Sequence, residues 1–109
     1  MTVDNLVKEL NLEILTENSD LEKDIKGCYI CDLLSLAMSK VQSQDVWVTV
    51  QSNVNIVAVA VLTEASCILV AEGMNVEQSV IDKATSQDVI ILRTEKSAFD
   101  VAMSIGNMI

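Results

Sequence analysis

The feature that most constrains the fold occurs three times in the second half of the chain: a short apolar run, a polar loop and then a segment with helical spacing. The apolar runs cover residues 46–50, 67–70 and 89–92. This order of elements is typical of βα units, whose strands pair in parallel. We therefore predict an α/β fold, a single small domain over residues 1–109 in which a largely parallel sheet is flanked by helices.

The polar loops that follow the three apolar runs form the candidate ligand site. Loops at the carboxyl ends of parallel strands gather on one edge of the sheet, where ligands usually bind. The candidate ligand-binding residues are Gln51, Ser52, Asn53, Glu72, Gly73, Asn75, Thr94 and Ser97. A glycine before a helix allows close backbone approach, and helix N-terminal N–H groups favour anions. The neighbouring Glu72 disfavours a free phosphate, and a turn that requires positive φ is the other explanation for Gly73.

The last of these loops also contains the one local basic and hydroxyl-rich cluster. Arg93 and Lys96 flank Thr94, and Ser97 follows them. Such a cluster is suited to a carboxylate or a phosphate. A solvated loop, in which the positive charges balance Glu95, is the favoured alternative because exposed charges are the default.

Helical spacing and capping residues predict the remaining elements. Thr2 begins a helix that runs to about residue 10, and residues 12–15 and 24–30 are strand candidates, the second broken by Gly27. A turn is predicted at residues 18–20. Three further helices are predicted: one at 32–41 capped by Asp32, one at 53–63, and one to about residue 87 capped by Asn75 with Gln78 in a capping box. Ser97 is predicted to cap a last helix. The helix at 53–63 is apolar on every side, so the sheet and a partner are expected to cover it.

Composition excludes several classes of partner and location. The net charge is −9, and the seven basic residues are scattered, which argues against nucleic acid and against an anionic membrane surface. The longest unbroken apolar stretch, residues 56–62, is far shorter than the ~20 residues of a membrane span. Three cysteines without a predicted secretory signal indicate a cytoplasmic location.

Catalytic and metal sites have little support in the sequence. There is no histidine, and no nucleophile, Walker A or dinucleotide motif is present. Cys28 and Cys31 form a C-x-x-C pair that a redox role would use, but a lone pair of this kind is a weak signal, and small buried side chains are the favoured explanation. With Cys67 the one further thiol, a four-ligand zinc site cannot be completed from cysteine and histidine. We expect no catalytic residue, no metal and no cofactor.

Several short motifs resemble a stand-alone DRTGG-domain protein over nearly the whole chain. The resemblance rests on Gly27-x-Tyr29-x-x-Asp32-Leu33-Leu34-Ser35, Trp47-Val-Thr49-Val-Gln51, Asn55 through Leu62, Gly73, Val80-Ile-Asp-Lys83-Ala84, Val89 through Leu92 and Ser97-Ala98-Phe99. Such domains are similar to the amino-terminal domain of HPr kinase/phosphorylase and to a region of some phosphate acetyltransferases. The resemblance implies a small α/β domain with a regulatory or ligand-sensing role and no catalysis.

One departure from the family pattern affects the predicted site. Relatives often have a Gly-Asp-Arg-type turn before the Ala/Val-rich helix, whereas this chain has Gln51, Ser52 and Asn53. An anion-binding role of that loop is therefore in doubt, and polar hydrogen bonding remains available to it.

Two hypotheses for function follow from the sequence. The first is a regulatory domain that senses a small molecule, such as a nucleotide or a phosphorylated metabolite, at the three loops. The second is a docking or adaptor subunit of a larger enzyme or regulatory complex. In both, the chain is expected to form a homodimer through the apolar helix at 53–63 or the carboxyl-terminal helix.

Overall fold

Helices and strands alternate along most of the chain in the computed structural model, which describes residues 1–17 and 19–109. The elements are α1 (Val3–Leu10), β1 (Glu13–Ile14), β2 (Gly27–Ile30), α2 (Leu34–Lys40), β3 (Asp45–Thr49), α3 (Asn55–Thr63), β4 (Cys67–Val70), α4 (Gln78–Ser86), β5 (Ile91–Arg93) and α5 (Ala98–Gly106). The turn predicted at residues 18–20 includes Asn18, which lies outside the described residues.

The five strands form one sheet in the order β1-β5-β4-β3-β2. The pairs β2–β3, β3–β4 and β4–β5 are parallel, and the two-residue β1 pairs antiparallel with β5, so that Glu13 lies opposite Arg93. The predicted α/β architecture with a largely parallel sheet is confirmed.

Helices cover both faces of the sheet, and a separate apolar core lies on each face. Strand residues alternate between the two cores, as the pleat of a strand requires. The core under α1 and α5 is centred on Leu6, Val46, Val48, Leu69, Leu92, Val101 and Ile105. The core under α2, α3 and α4 is centred on Trp47, Ile56, Val57, Ile68, Val70, Val80 and Ile91.

The central strands are buried along their whole length, which explains their unbroken apolar sequences. Every residue of β3 and β4 is buried, as expected for parallel strands that are covered on both faces. Trp47 is fully buried, and its indole N–H donates a 3.0 Å hydrogen bond to the carbonyl oxygen of Cys31. The only tryptophan is therefore a core residue, as predicted.

Two of the predicted helix caps are confirmed. The Thr2 hydroxyl accepts from the backbone N–H of Asn5, and the Asn5 side chain accepts from the Thr2 N–H. The Ser97 hydroxyl accepts from the backbone N–H of Asp100 at 3.1 Å. Both caps satisfy backbone donors that have no partner within the helix.

Two other predicted caps, those of α2 and α4, are wrong, because one of the two side chains binds a distant loop and α4 begins later than predicted. Asp32 does not cap α2, which begins at Leu34 after an uncapped Leu33; its carboxylate binds the loop after β3 instead. Asn75 does not cap α4, because that helix begins at Gln78 after Glu77. Gln78 is thus the first helical residue, and its side chain donates to Asp82 one turn later. Gly27 begins β2 rather than breaking it.

Within the described ranges, no helix is long and apolar enough to cross a bilayer.

Candidate functional site

The eight predicted site residues all lie in the loops that leave the carboxyl ends of β3, β4 and β5. Gln51, Ser52 and Asn53 connect β3 to α3; Glu72, Gly73 and Asn75 connect β4 to α4; and Thr94 and Ser97 connect β5 to α5. Since these strands are parallel neighbours, the three loops share one edge of the sheet. We call this edge the carboxyl edge.

Asp32 organises the loop that follows β3. Its carboxylate accepts from the Thr49 hydroxyl at 2.9 Å and from the backbone N–H of Val50 at 2.8 Å. The Gln51 side chain donates to the Asp32 carbonyl oxygen at 3.0 Å. The segment after β2 is thereby joined to the loop after β3. This role of Asp32 is not visible in the sequence, because an aspartate just before a helix suggests a cap when only the local pattern is considered.

Hydrogen-bond donors remain unused where the chain enters α3. The backbone N–H groups of Ser52, Asn53 and Val54 make no hydrogen bond to any part of the chain that the structure describes. The Asn53 side chain is oriented by two contacts, since its amide donates to Gln51 and its oxygen accepts from the Asn55 N–H. Consecutive free N–H groups before a helix are able to donate to an acceptor group of a ligand.

The loops after β4 and β5 are hydrogen-bonded to each other. The Glu72 N–H donates to the Lys96 carbonyl oxygen at 2.8 Å, and the Gly73 N–H donates to the Thr94 carbonyl oxygen at 2.9 Å. The Thr94 hydroxyl accepts from the Lys96 N–H, and Glu72 accepts from the Ala98 N–H. Most polar groups of these predicted site residues are therefore engaged within the protein.

Arg93 fixes the loop after β4 in place. Its guanidinium donates to the Gly73 carbonyl oxygen at 2.7 Å and to the Met74 carbonyl oxygen at 2.9 Å. It also forms ion pairs with Glu13 and Glu95. With these partners the guanidinium has little capacity left for a ligand anion, so the basic cluster predicted from the sequence is in part a structural device.

Gly73 occupies a conformation that explains its presence without a ligand. Its φ is +66°, in the left-handed region that favours glycine. A Cβ atom at this position would also collide with the Glu95 carboxylate. The turn with positive φ that the sequence allowed for is thus present, and Glu72 before it has positive φ as well.

The three cysteines are free thiols. Two of them, Cys28 and Cys67, have a raised pKa and therefore little nucleophilic character. Burial, together with the charge of Asp45, raises the pKa of Cys28 to about 11. Burial, with a smaller effect of Cys28, raises the pKa of Cys67 to about 12. A redox cysteine needs a lowered pKa, because the thiolate is the reactive form. Cys28 lies in β2 and not at a helix N-terminus, so it lacks that activation.

Metal-ligating side chains do not converge anywhere in the described part of the chain: no group of three or more cysteine, aspartate or glutamate residues could hold an ion.

Cavities also occur away from the predicted residues. One of about 540 Å³ lies at the opposite edge of the sheet and is lined in part by Lys23, Ser43, Glu64, Gln87 and Asp88. A cleft of about 420 Å³ at the carboxyl edge is bordered by Arg93, Thr94 and Lys96. Acidic groups outnumber the single lysine in the larger cavity, so it offers less to an anionic ligand than the carboxyl edge does.

The outer side of α3 forms an apolar surface groove. Val54, Ala58, Val61 and Leu62 are exposed along it, and α3 contains no charged residue. The groove has a volume of about 470 Å³, and Lys83 of α4 is the one charged residue that borders it. The inner side of the helix is buried against the sheet, as predicted; its outer side has no cover from the described residues of this chain.

Comparison with known proteins gives a family match and a solved structure with a similar fold. The model of the DRTGG domain matches residues 5–108. No curated protein matches the sequence.

A solved structure with a similar fold contains the CBS and DRTGG domains of the regulatory region of Clostridium perfringens pyrophosphatase, in complex with the activator diadenosine tetraphosphate. The TM-score is 0.78 at 15% identity, and the match covers 95% of this chain. It covers 45% of the other chain, so the present chain spans less than half of that regulatory region.

Proposed function

Because the chain belongs to the DRTGG domain family, we propose that it is a non-catalytic regulatory domain that senses a small molecule at the carboxyl edge of its sheet. The observation that carries this proposal is the run of unused N–H groups at Ser52, Asn53 and Val54, held in place by Asp32 and Gln51. We place this sensor in the cytoplasm, where three free thiols would stay reduced.

The ligand class that fits best is a nucleotide or a phosphorylated metabolite. The regulatory region of the Clostridium perfringens pyrophosphatase binds diadenosine tetraphosphate as an activator, which supports this class by similarity of fold. In the present chain the backbone N–H groups of Ser52 to Val54 would donate to oxygen or nitrogen atoms of the ligand. Lys96, an exposed cation on the loop after β5, would supply the positive charge that the loop after β3 lacks.

A thermal-shift panel tests the proposal. The panel contains nucleotides, dinucleoside polyphosphates, acyl and sugar phosphates, and carboxylic acids. A ligand that binds only the folded state stabilises it by RT ln(1 + [L]/Kd), about 2.7 kcal/mol at a hundredfold excess over Kd. We expect a dose-dependent rise in Tm with one of the phosphorylated classes. A flat panel with folded protein would contradict the sensor proposal.

Variants then locate the site. Asn53→Ala removes the side chain that shapes the donor loop, so the ligand-induced rise in Tm should shrink while the fold persists. Ser43→Ala is the matched control, because Ser43 lies in a loop at the opposite edge of the sheet. Equal loss of binding in both variants, or in neither, would count against a site at the carboxyl edge.

A second candidate function is docking to a larger enzyme or regulator, and the exposed apolar groove on α3 favours it. Exposed apolar patches of this kind mark interaction sites. Leu62→Asp should abolish capture of a protein partner without loss of fold, because Leu62 is 66% exposed. Ser79→Asp, at an exposed position in the first turn of α4 that does not line the groove, serves as control. A partner captured equally by wild type and Leu62→Asp would show that α3 is not the docking surface.

We also propose that the chain is a homodimer. Apolar side chains are exposed on α3 and on α5, where Phe99 and Met103 lie one turn apart. Both helices thus present surface of the kind that subunit interfaces bury. Sedimentation equilibrium of the purified chain tests the dimer directly.

A further inference from the structure

The outer edge of β2 exposes backbone groups that can pair with another strand. β2 is the last strand of the sheet, and the Cys31 N–H donates inward to the Val48 carbonyl oxygen. Successive residues of a strand point their N–H and C=O groups to opposite sides. Tyr29 therefore also bonds inward, whereas Cys28 and Ile30 direct their N–H and C=O groups away from β3. An edge of this kind is a template for strand addition.

Apolar side chains surround this edge. Ile30 and Leu33 are 44% and 63% exposed, and both belong to β2 or the segment that follows it. α5 contacts β2 and exposes Phe99 at 70% and Met103 at 55%. Phe99 is the only phenylalanine of the chain. Exposed aromatic residues of this kind are typical anchors of an interface.

β2 contains no charged residue, and the nearest charged residues on either side of it are opposite in sign. Residues 27–31 carry no formal charge, Lys26 precedes them and Asp32 follows them. An antiparallel copy of this segment would place Lys26 near the partner's Asp32, and a parallel copy would place like charges together. Self-pairing in the antiparallel sense is thus favoured even though the whole chain has a net charge of −9.

We propose that two copies of this chain associate through β2, antiparallel about a twofold axis at Tyr29, to form one continuous sheet of ten strands, five from each copy. Cys28 lies opposite the partner's Ile30, and Tyr29 lies opposite the partner's Tyr29. This inference rests on the homodimer part of the proposed function and identifies its interface. The groove on α3 is left for another partner.

The register follows from the backbone groups and from the side chains together. In this pairing the outward N–H and C=O groups of Cys28 bond to those of the partner's Ile30, and the reverse, so every outward group of β2 is satisfied. A shift by two residues in either direction leaves outward groups without partners. The chosen register also brings the two Tyr29 rings together, and aromatic cross-strand pairs stabilise antiparallel strands.

Oxidative cross-linking tests the register. Residues that lie opposite each other without mutual hydrogen bonds have Cα atoms about 4.5 Å apart, within the disulfide range of about 4.4–6.8 Å. In a Cys28→Ser, Cys31→Ser background, Tyr29→Cys should give a disulfide-linked dimer on mild oxidation. Leu62→Cys in the same background is the matched control on α3 and should stay unlinked. Linkage through Leu62→Cys and not through Tyr29→Cys would overturn the proposal.

A proline on the edge tests the backbone contribution. Ile30→Pro removes an N–H that points away from β3, so the fold keeps its own hydrogen bonds while the dimer loses two. We expect this variant to be a folded monomer by sedimentation equilibrium and circular dichroism. Ile14→Pro on β1 is the control, because the Leu15 N–H bonds inward to Ile91 and the Ile14 N–H therefore points outward at the other edge. It should remain dimeric.

Three further outcomes would overturn the proposal: a monomeric parent chain, a folded Ile30→Pro variant that is still a dimer, or an Ile14→Pro variant that alone becomes monomeric. If Ile30→Pro does not fold, the cross-linking pair decides. The thermal-shift panel, repeated on monomeric Ile30→Pro, separates this inference from the sensor proposal. A ligand-induced rise in Tm that persists in this variant places the ligand site within one copy. If no ligand raises the Tm of either protein, only the sensor proposal fails.

Discussion

At the scale of single residues, Gly73 is the position where backbone conformation and packing both restrict the side chain. Gly73→Ala should lower the free energy of unfolding by about 1–2 kcal/mol, the cost of the left-handed conformation for an alanine, with a further loss because Glu95 must leave its contact with Arg93. Urea unfolding measures the difference.

The control for that change is Gly106→Ala. Gly106 is the last residue of α5, and a Cβ atom there meets nothing within 4 Å. Alanine should be neutral or stabilising by about 0.4–1 kcal/mol. Equal midpoints for the two variants would show that Gly73 is not constrained as described.

The raised pKa values of Cys28 and Cys67 predict sensitivity to alkaline pH. In the unfolded chain both thiols ionise near their ordinary pKa, but in the folded chain the values are about 11 and about 12. Between pH 9 and 11 the folded state thus binds more protons than the unfolded state, and stability falls as pH rises, by up to about 1.4 kcal/mol per pH unit for each thiol. This stability is fully present below pH 8.

Urea midpoints measured from pH 7 to pH 11 check this prediction. Cys67→Ala removes the more deeply buried thiol, so its midpoint should depend less steeply on pH, whatever its stability at neutral pH. A slope identical to that of the wild type would refute the assignment to Cys67.

Residue roles could be predicted from the sequence only where they depend on neighbours in the chain. Ser97 was identified as a cap because its partner, Asp100, is three residues away. The roles of Asp32 and Arg93 are not evident from the sequence, because Asp32 binds Thr49 and Val50, and Arg93 pairs with Glu13 near the other end of the chain. No local pattern contains those contacts.

At the scale of secondary-structure elements, the start of α5 depends on the Ser97 hydroxyl. Ser97→Ala should lower the free energy of unfolding by about 1 kcal/mol, because the Asp100 N–H loses its acceptor. Ser97→Asn, which keeps a side-chain oxygen, should restore most of that loss. Thermal melts of the two variants make the comparison, and an alanine variant as stable as the asparagine variant would show that water replaces the cap.

The elements themselves were largely predictable, and their limits less so. β4 matches its apolar run, since the whole segment Cys67–Val70 is buried. β5 covers Ile91–Arg93 rather than residues 89–92, because pairing with β4 and β1 determines where the ladder begins. The antiparallel β1 pairs with β5 from nearly the opposite end of the sequence, which only the tertiary fold decides.

At the scale of the whole molecule, the two cores share a single sheet and should unfold together. Trp47 lies in the core under α2, α3 and α4, so its fluorescence reports that side. Far-ultraviolet circular dichroism reports all helices, including α1 and α5. The two transitions should coincide in urea, as they do for a two-state domain. A separate tryptophan transition would indicate that one face unfolds alone.

The carboxyl edge consists of two hydrogen-bonded halves that meet between β3 and β4. Asp32 joins the segments after β2 and β3, and Arg93, Glu72 and Thr94 join the loops after β4 and β5. Apart from the sheet itself, no side-chain hydrogen bond among the described residues crosses between them. Each half can therefore open without the other, and amide hydrogen exchange should show two independent rates there. A molecule bound across the boundary would make the two halves open together, at a single exchange rate. Its binding would then protect amides that it does not contact.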